Sequence, residues 1–154
     1  MMERRTVVDA AAKFYQQKDD VALEVLIGMR DRAIAQDASL KDDVEFEPKY
    51  SSGTMGPIDD VKVLGQRILN RWNKELYGLV CEKQGAASKD REAVLDSLKL
   101  GEAAVIAALV GCLLSLGLAP AIAAPVAPLI VRKFVWPAKD ELCDAWGESL
   151  KVSG

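Results

Sequence analysis

The sequence predicts an all-α protein, a helical bundle ending in a C-terminal apolar helix or helical hairpin, and three observations carry that expectation. Apolar residues recur every three or four positions through most of the chain, the period of helices with one buried face. Turn formers are concentrated at Asp37–Asp60 and around Gly117–Pro120, so the segments between are long. From Ala103 to Val131 there is no charge, and Ser115 is the one polar side chain.

The elements follow in order. Thr6 to about Gln36 reads as two helices, one with Val7, Ala11, Phe14 and Tyr15 on its apolar stripe and one with Leu23, Leu26, Ile27 and Ile34. Lys18-Asp19-Asp20 suits the turn between them, with Asp20 as the cap of the second. Asp37–Asp60 is acidic and carries Glu47-Pro48, Ser51-Ser52-Gly53 and Gly56-Pro57, which predicts a loop with a short strand near Val44–Phe46. A solvated linker is the simpler role for it, and partner binding is the alternative. Helix returns from Asp59 to Cys81, with Val61, Leu64, Ile68, Trp72, Leu76 and Leu79 on the buried face. Arg67, Arg71 and Lys74 form a basic stripe on its wet face, suited to phosphates or an acidic partner and equally to plain solvent. Asp59-Asp60 places negative charge at the helix start, where the dipole favours it. Gly85 is the expected stop and Ser88 the cap of a further helix that buries Ala93, Val94 and Leu98. Asp140–Leu150 reads as a short amphipathic helix with Leu142, Cys143, Trp146 and Leu150 on one side. The implied organisation is a soluble helical domain over 1–100 with a 37–60 loop, an apolar membrane or oligomerisation segment over 101–135, and an amphipathic tail over 136–154.

Composition narrows the chemistry. The 154 residues contain no histidine, which excludes histidine bases, histidine triads and histidine-ligated metals. Cys81, Cys112 and Cys143 lie far apart with no CxxC pair; their odd number predicts free thiols in a reducing cytoplasm, and zinc is not expected. Asp42, Asp43, Glu45 and Glu47 miss the spacing of a calcium loop, and Gly53-Thr54-Met55-Gly56 lacks the lysine of a phosphate loop. The reading is of a protein without catalytic residues, metal or cofactor. A net charge of −3 argues against a dedicated nucleic-acid surface.

The apolar segment has to be hidden from water, and its length admits lipid as the hiding place, since a membrane span needs about 20 predominantly apolar residues. Ala103, Ala107, Gly111, Ser115 and Ala119 fall every fourth position and form a ridge of small side chains that favours close helix packing, within one chain or between copies. Gly117-Leu118-Ala119-Pro120 is a natural break, with Pro125 and Pro128 beyond it. Two halves of about 15 residues reach only about 22 Å, short of the roughly 30 Å hydrocarbon core. One kinked span, a re-entrant hairpin and a hairpin buried in protein all satisfy these constraints. Arg132, Lys133, Phe134 and Trp136 have the composition of membrane-interface anchors, and Phe and Trp beside a core hairpin are equally ordinary.

The stretch from Leu76-Tyr77-Gly78-Leu79-Val80-Cys81 through Leu116-Gly117-Leu118-Ala119-Pro120-Ala121-Ile122-Ala123-Ala124 to Arg132-Lys133-Phe134 resembles small helical proteins of bacterial conflict and antiviral defence loci. In those proteins a soluble helical part precedes an alanine-rich hydrophobic hairpin. The resemblance covers roughly the last 80 residues, lies in layout, and carries no functional residue across. It implies a non-enzymatic effector or accessory protein that forms homo-oligomers and disturbs a membrane under the control of a protein partner. Its place would be the inner (cytoplasmic) membrane, with the N-terminal domain in the cytosol. The rival expectation is a cytoplasmic, soluble homo-oligomeric adaptor or regulatory subunit whose apolar hairpin is a buried protein–protein core.

Overall fold

A computed structural model describes residues 4–82 and 88–153. The N-terminal helices are α1 (Arg4–Gln17) and α2 (Asp20–Gln36), and the short α3 (Ser52–Met55) leads into α4 (Ile58–Tyr77). There follow α5 (Ser88–Ser97), α6 (Glu102–Ser115), α7 (Pro120–Ile130) and α8 (Leu142–Ser153). Helices α4 and α7 each run on into a π-helical turn, Gly78–Glu82 and Val131–Val135. No strand occurs among the described residues, so the chain is an all-α bundle.

The α1–α2 turn lies where the sequence puts it, but the capping residue is Asp19 rather than Asp20. Asp19 occupies the extended position just before the helix, and its carboxylate accepts the Ala22 N–H at 2.8 Å. Val44–Phe46 is not a strand either. The Asp43 carboxylate accepts the backbone N–H groups of Glu45 and Phe46 at 3.0 and 3.1 Å, curling the chain into a side-chain-held turn. Within the remaining loop, Ala38–Asp42 forms a 3-10 turn started by Asp37. Gly85 lies outside the described residues, and Ala93, expected inside, is exposed on α5.

Helices α2 and α4 cross at backbone distance, antiparallel, over two glycines. A Cβ on Gly28 would sit 2.0 Å from the Val61 carbonyl oxygen, and one on Gly65 would sit 1.8 Å from that of Glu24. The buried seam of α4 is therefore Val61, Gly65, Leu69, Asn73 and Leu76, rotated about one residue from the face that apolar periodicity selects; Leu64, Ile68 and Trp72 are half-buried beside it.

The apolar segment breaks where predicted. Gly117 takes φ 93°, and the Leu118 N–H reaches back to the Leu113 carbonyl at 3.0 Å while Gly117 N–H reaches Leu114, which ends α6 in a Schellman motif. Pro120 then opens α7 at a position that needs no N–H. Helix α7 is the centre of the molecule. Every residue from Ala121 to Val131 is buried, against α1, α2, α4 and α6. Its alanines let four helices approach, while Ile122, Val126, Leu129, Ile130 and Val131 supply apolar volume worth about 1.5–3 kcal/mol each. The helix runs through Pro125 and Pro128 without ending. Pro125 has no N–H to offer Ala121, and the orphaned Ala121 carbonyl is taken instead by Arg30 Nη1 at 2.8 Å.

Two of the three cysteines are joined. Cys81 and Cys143 form a disulfide, with Cα atoms 5.5 Å apart, and Cys112 alone is a free thiol. The expectation of three free thiols is thus corrected. The π-helical turn after α4 and the start of α8 bring together two residues 62 positions apart, a proximity that no local spacing encodes.

Candidate interaction sites

The ridge on α6 does not present one continuous face. Arg4 reaches across it: a Cβ on Gly111 would lie 2.3 Å from Arg4 Nη2, which donates to the Ala107 carbonyl at 3.4 Å. Ala103 and Ser115 are exposed at the two ends of α6 and Ala107 is half-buried, while Ala119 lies off α6, beyond the break, as the half-buried cap residue of α7.

Arg132, Lys133, Phe134 and Trp136 sit on the π-helical turn after α7 and just beyond it. Arg132 closes the C-terminal end of α1. It donates to the carbonyls of Tyr15 and Lys18 (2.9 Å for Lys18), pairs with Asp20 at 3.0 Å, and lies 4.9 Å from the centre of the Tyr15 ring. A cation is favoured there, where α1 leaves carbonyls without partners. Lys133 faces the buried Glu24 at 3.9 Å, and Gln66 donates to the same carboxylate at 2.7 Å. Phe134 and Trp136 are half-buried against the core, with Lys139 4.4 Å above the Trp136 ring. The Tyr15 hydroxyl hydrogen-bonds to Glu102 at the start of α6. Burial and that carboxylate push Tyr15 up to about 12.

Arg67, Arg71 and Lys74 are all exposed on one side of α4. Among the described residues no carboxylate stands in ion-pair range of any of them. Arg71 lies over the Trp72 ring at 5.1 Å.

Three groups escaped the sequence reading. The first is Arg30, wholly buried on α2. Besides Ala121 it donates through Nη2 to the carbonyls of Val44 and Phe46 at 3.0 and 2.9 Å, and its guanidinium lies between the rings of Phe14 and Phe46 at 5.2 and 5.1 Å. Among the described residues no carboxylate stands in ion-pair range of it. Burial pulls it down to about 10, which Asp43 and Glu47 oppose, so it stays cationic at neutral pH. A cavity of about 420 Å³ lies beside it, between α1 and the Val44–Glu47 turn. The signal for Arg30 was an arginine among Leu26, Ile27 and Gly28, within an apolar face, together with a proline helix needing a donor.

The second is the pair Asn73–Trp146. The Trp146 indole is fully buried and donates to Asn73 Oδ1 at 2.7 Å, with the Tyr77 ring edge-on at 5.6 Å. This is what seats α8 on α4. The third is the disulfide, which stands beside a cavity of about 530 Å³ bordered by Lys74, Tyr77, Glu82, Cys143, Asp144 and Lys151.

Cys112 is isolated from all of these. Its Sγ lies in the core 3.9 Å from the Asp90 carbonyl. Burial first, then the Asp90 charge, push the thiol from 9.0 up to about 12. In native protein at pH 8, iodoacetamide is therefore expected to leave Cys112 unmodified, with alkylation by mass spectrometry appearing only in denaturant. The linkage has a definite sign: the raised pKa stabilises the fold below about pH 9, and that contribution is lost as pH rises through about 12. Native alkylation at the rate of an unfolded peptide would show that Cys112 is not enclosed.

No group of three or more Cys, Asp or Glu side chains is placed to hold a metal ion among the described residues. No single described helix is long and apolar enough to cross a membrane; Pro120–Val135 together with Lys139–Lys151, bent by 79°, meet the length and composition test as a pair. Comparison of the chain with protein families, with curated proteins and with solved structures finds no match.

Proposed function

We propose that this protein is a non-enzymatic helical interaction module, an adaptor or regulatory subunit that keeps its apolar hairpin as its own core and binds a protein partner through charged surface. The observation that supports this reading is the coverage of Ala121–Val131 by four helices of the same chain. A segment enclosed in this way needs neither lipid nor a second copy to leave water. To insert α7 into a bilayer would strip it from α1, α2, α4 and α6 and carry the Ala121 carbonyl away from its buried arginine. The partner's complement is written in Arg67, Arg71 and Lys74, three cations on one face with no ion-pair partner among the described residues, in a chain whose net charge is −3. That face suits an acidic protein segment.

A second reading has its own observation. The bent pair Pro120–Val135 and Lys139–Lys151 has the length and hydropathy of a broken span. A membrane-associated effector of the defence-locus type would store its hairpin in this fold and release it on a partner's signal, inserting and assembling along the α6 ridge.

Fractionation separates the two. The untagged chain, expressed alone in bacteria, is expected to leave the membrane pellet on washing with high salt and carbonate, and to run by light scattering at the 16.7 kDa of a single chain. Retention until detergent is added would overturn the adaptor reading in favour of the effector. A detergent-free multimer would instead return the hairpin to an intermolecular core.

A further inference from the structure

We infer that the Cys81–Cys143 bridge is a thiol-exchange site, opened at Cys143 by a low-molecular-weight zwitterionic thiol of the cysteine and glutathione class. This stands apart from the adaptor reading at every residue but Lys74, which borders the cavity and also belongs to the basic stripe; the thiol-exchange readouts need no partner protein. Both cysteines are half-buried residues, whereas Cys112 is buried. They are not equivalent. Cys143 borders the cavity of about 530 Å³, and Cys81 is not among the residues that border it. Exchange proceeds by a thiolate approaching one sulfur, so access selects which sulfur is attacked. The cavity volume lies within the range that takes a small organic ligand, roughly 300–1,000 Å³.

The charges around it define the class of thiol. Lys74 and Lys151 stand on the same wall system as Glu82, Asp144 and Glu148, with Lys151 and Glu148 paired at 3.4 Å. A purely anionic thiol would meet these carboxylates unfavourably, and a purely cationic one would meet Lys74. A thiol carrying both an ammonium and a carboxylate satisfies both signs: carboxylate toward Lys74, ammonium toward Glu82 and Asp144.

The step balances without an outside oxidant. The thiolate RS⁻ forms a bond to Cys143 Sγ as the Cys143–Cys81 bond breaks, and Cys81 leaves as a thiolate that takes a proton from water. A second RSH, as its thiolate, then displaces Cys143 and leaves as RSSR, so that the protein bridge is reduced by two electrons and the small thiol is oxidised. Helix α8 has a separate hold through Trp146 on Asn73 and Tyr77, so the mixed disulfide forms on a folded protein. What changes is covalent connectivity. The bridge spans 62 positions and closes a ring that contains α6 and α7, the whole apolar hairpin, and exchange opens that ring.

The test uses the full chain, first incubated with glutathione disulfide to close the bridge, then exposed under native conditions to reduced glutathione, quenched in acid and mapped by mass spectrometry. The expected product carries the glutathionyl group on Cys143 with Cys81 trapped as thiol, in about tenfold excess over the reverse adduct. Lys74→Glu is expected to slow exchange with glutathione about threefold more than exchange with 2-mercaptoethanol, whose attacking thiolate carries no carboxylate. The mixed disulfide is expected to unfold at lower urea than the bridged protein, with Trp146 still protected before unfolding. An adduct on Cys81, exchange only after the protein is unfolded, equal effects of Lys74→Glu on both thiols, or failure of the bridge to form at all would each overturn the proposal.

Discussion

Arg30→Met is expected to cost about 3–5 kcal/mol of folding stability. Methionine matches much of the volume and would rest well between Phe14 and Phe46, so packing is not what is lost. The loss is in acceptors. The carbonyls of Ala121 and Val44 would be left buried, and that of Phe46 part-buried, without their donor, at about 1–3 kcal/mol for each buried group that finds no other. Two of the three hold the Val44–Phe46 turn onto the core, and the third belongs to a helix already short of a donor because of Pro125. Arg30→Lys should recover only a minor part, because an ammonium is a point donor and cannot span carbonyls from two elements as a planar fork does. Urea denaturation checks this as a fall in midpoint at constant slope. A midpoint equal to that of the native sequence would mean that water reaches these carbonyls and that Arg30 does not pin the turn.

This arginine also marks the limit of what sequence periodicity can read. The helices, the break at Gly117-Pro120 and the all-α class were legible because each rests on local chemistry: the 3.6-residue period, a glycine at positive φ, a proline at a helix start. The cap at Asp19 was missed by one residue because two adjacent aspartates offer the same side chain, and only the backbone angle tells them apart. Val44–Phe46 has the alternation of a strand without being one, because Asp43 and Arg30 claim the backbone groups a ladder would use. The basic stripe was legible as exposed because its three residues are spaced on one helix face. Arg30, Asn73 and the cysteine pair were not legible, since each is defined by a partner 14 to 91 positions away. Arg132 shows the same limit differently: its composition suited a headgroup anchor, and only the fold places the end of α1 within its reach.

The sequence also drew attention to the wrong glycine for close packing. Gly111, within the regular ridge, meets the far end of an exposed arginine side chain, which can swing aside. Gly28 and Gly65, each the one glycine of its helix, meet backbone carbonyls that cannot. Gly65→Ala is accordingly expected to destabilise by about 3 kcal/mol, at the upper end of overpacking costs, even though alanine is the better helix former by about 1 kcal/mol. Gly111→Ala should stay within about 0.5 kcal/mol of the native protein, its clash and its propensity gain nearly offsetting. The decisive variant is the double one. The two glycines serve a single crossing, so a helix shift that admits the methyl of Gly65→Ala also admits the methyl of Gly28→Ala. Gly28→Ala in the Gly65→Ala background should therefore add well under its own cost, by about 1 kcal/mol or more of coupling. Strict additivity in urea midpoints would show that each helix yields locally around its own added methyl. Strong coupling would show that α2 and α4 move as rigid bodies, and that α7, packed against both, feels any change made at their crossing.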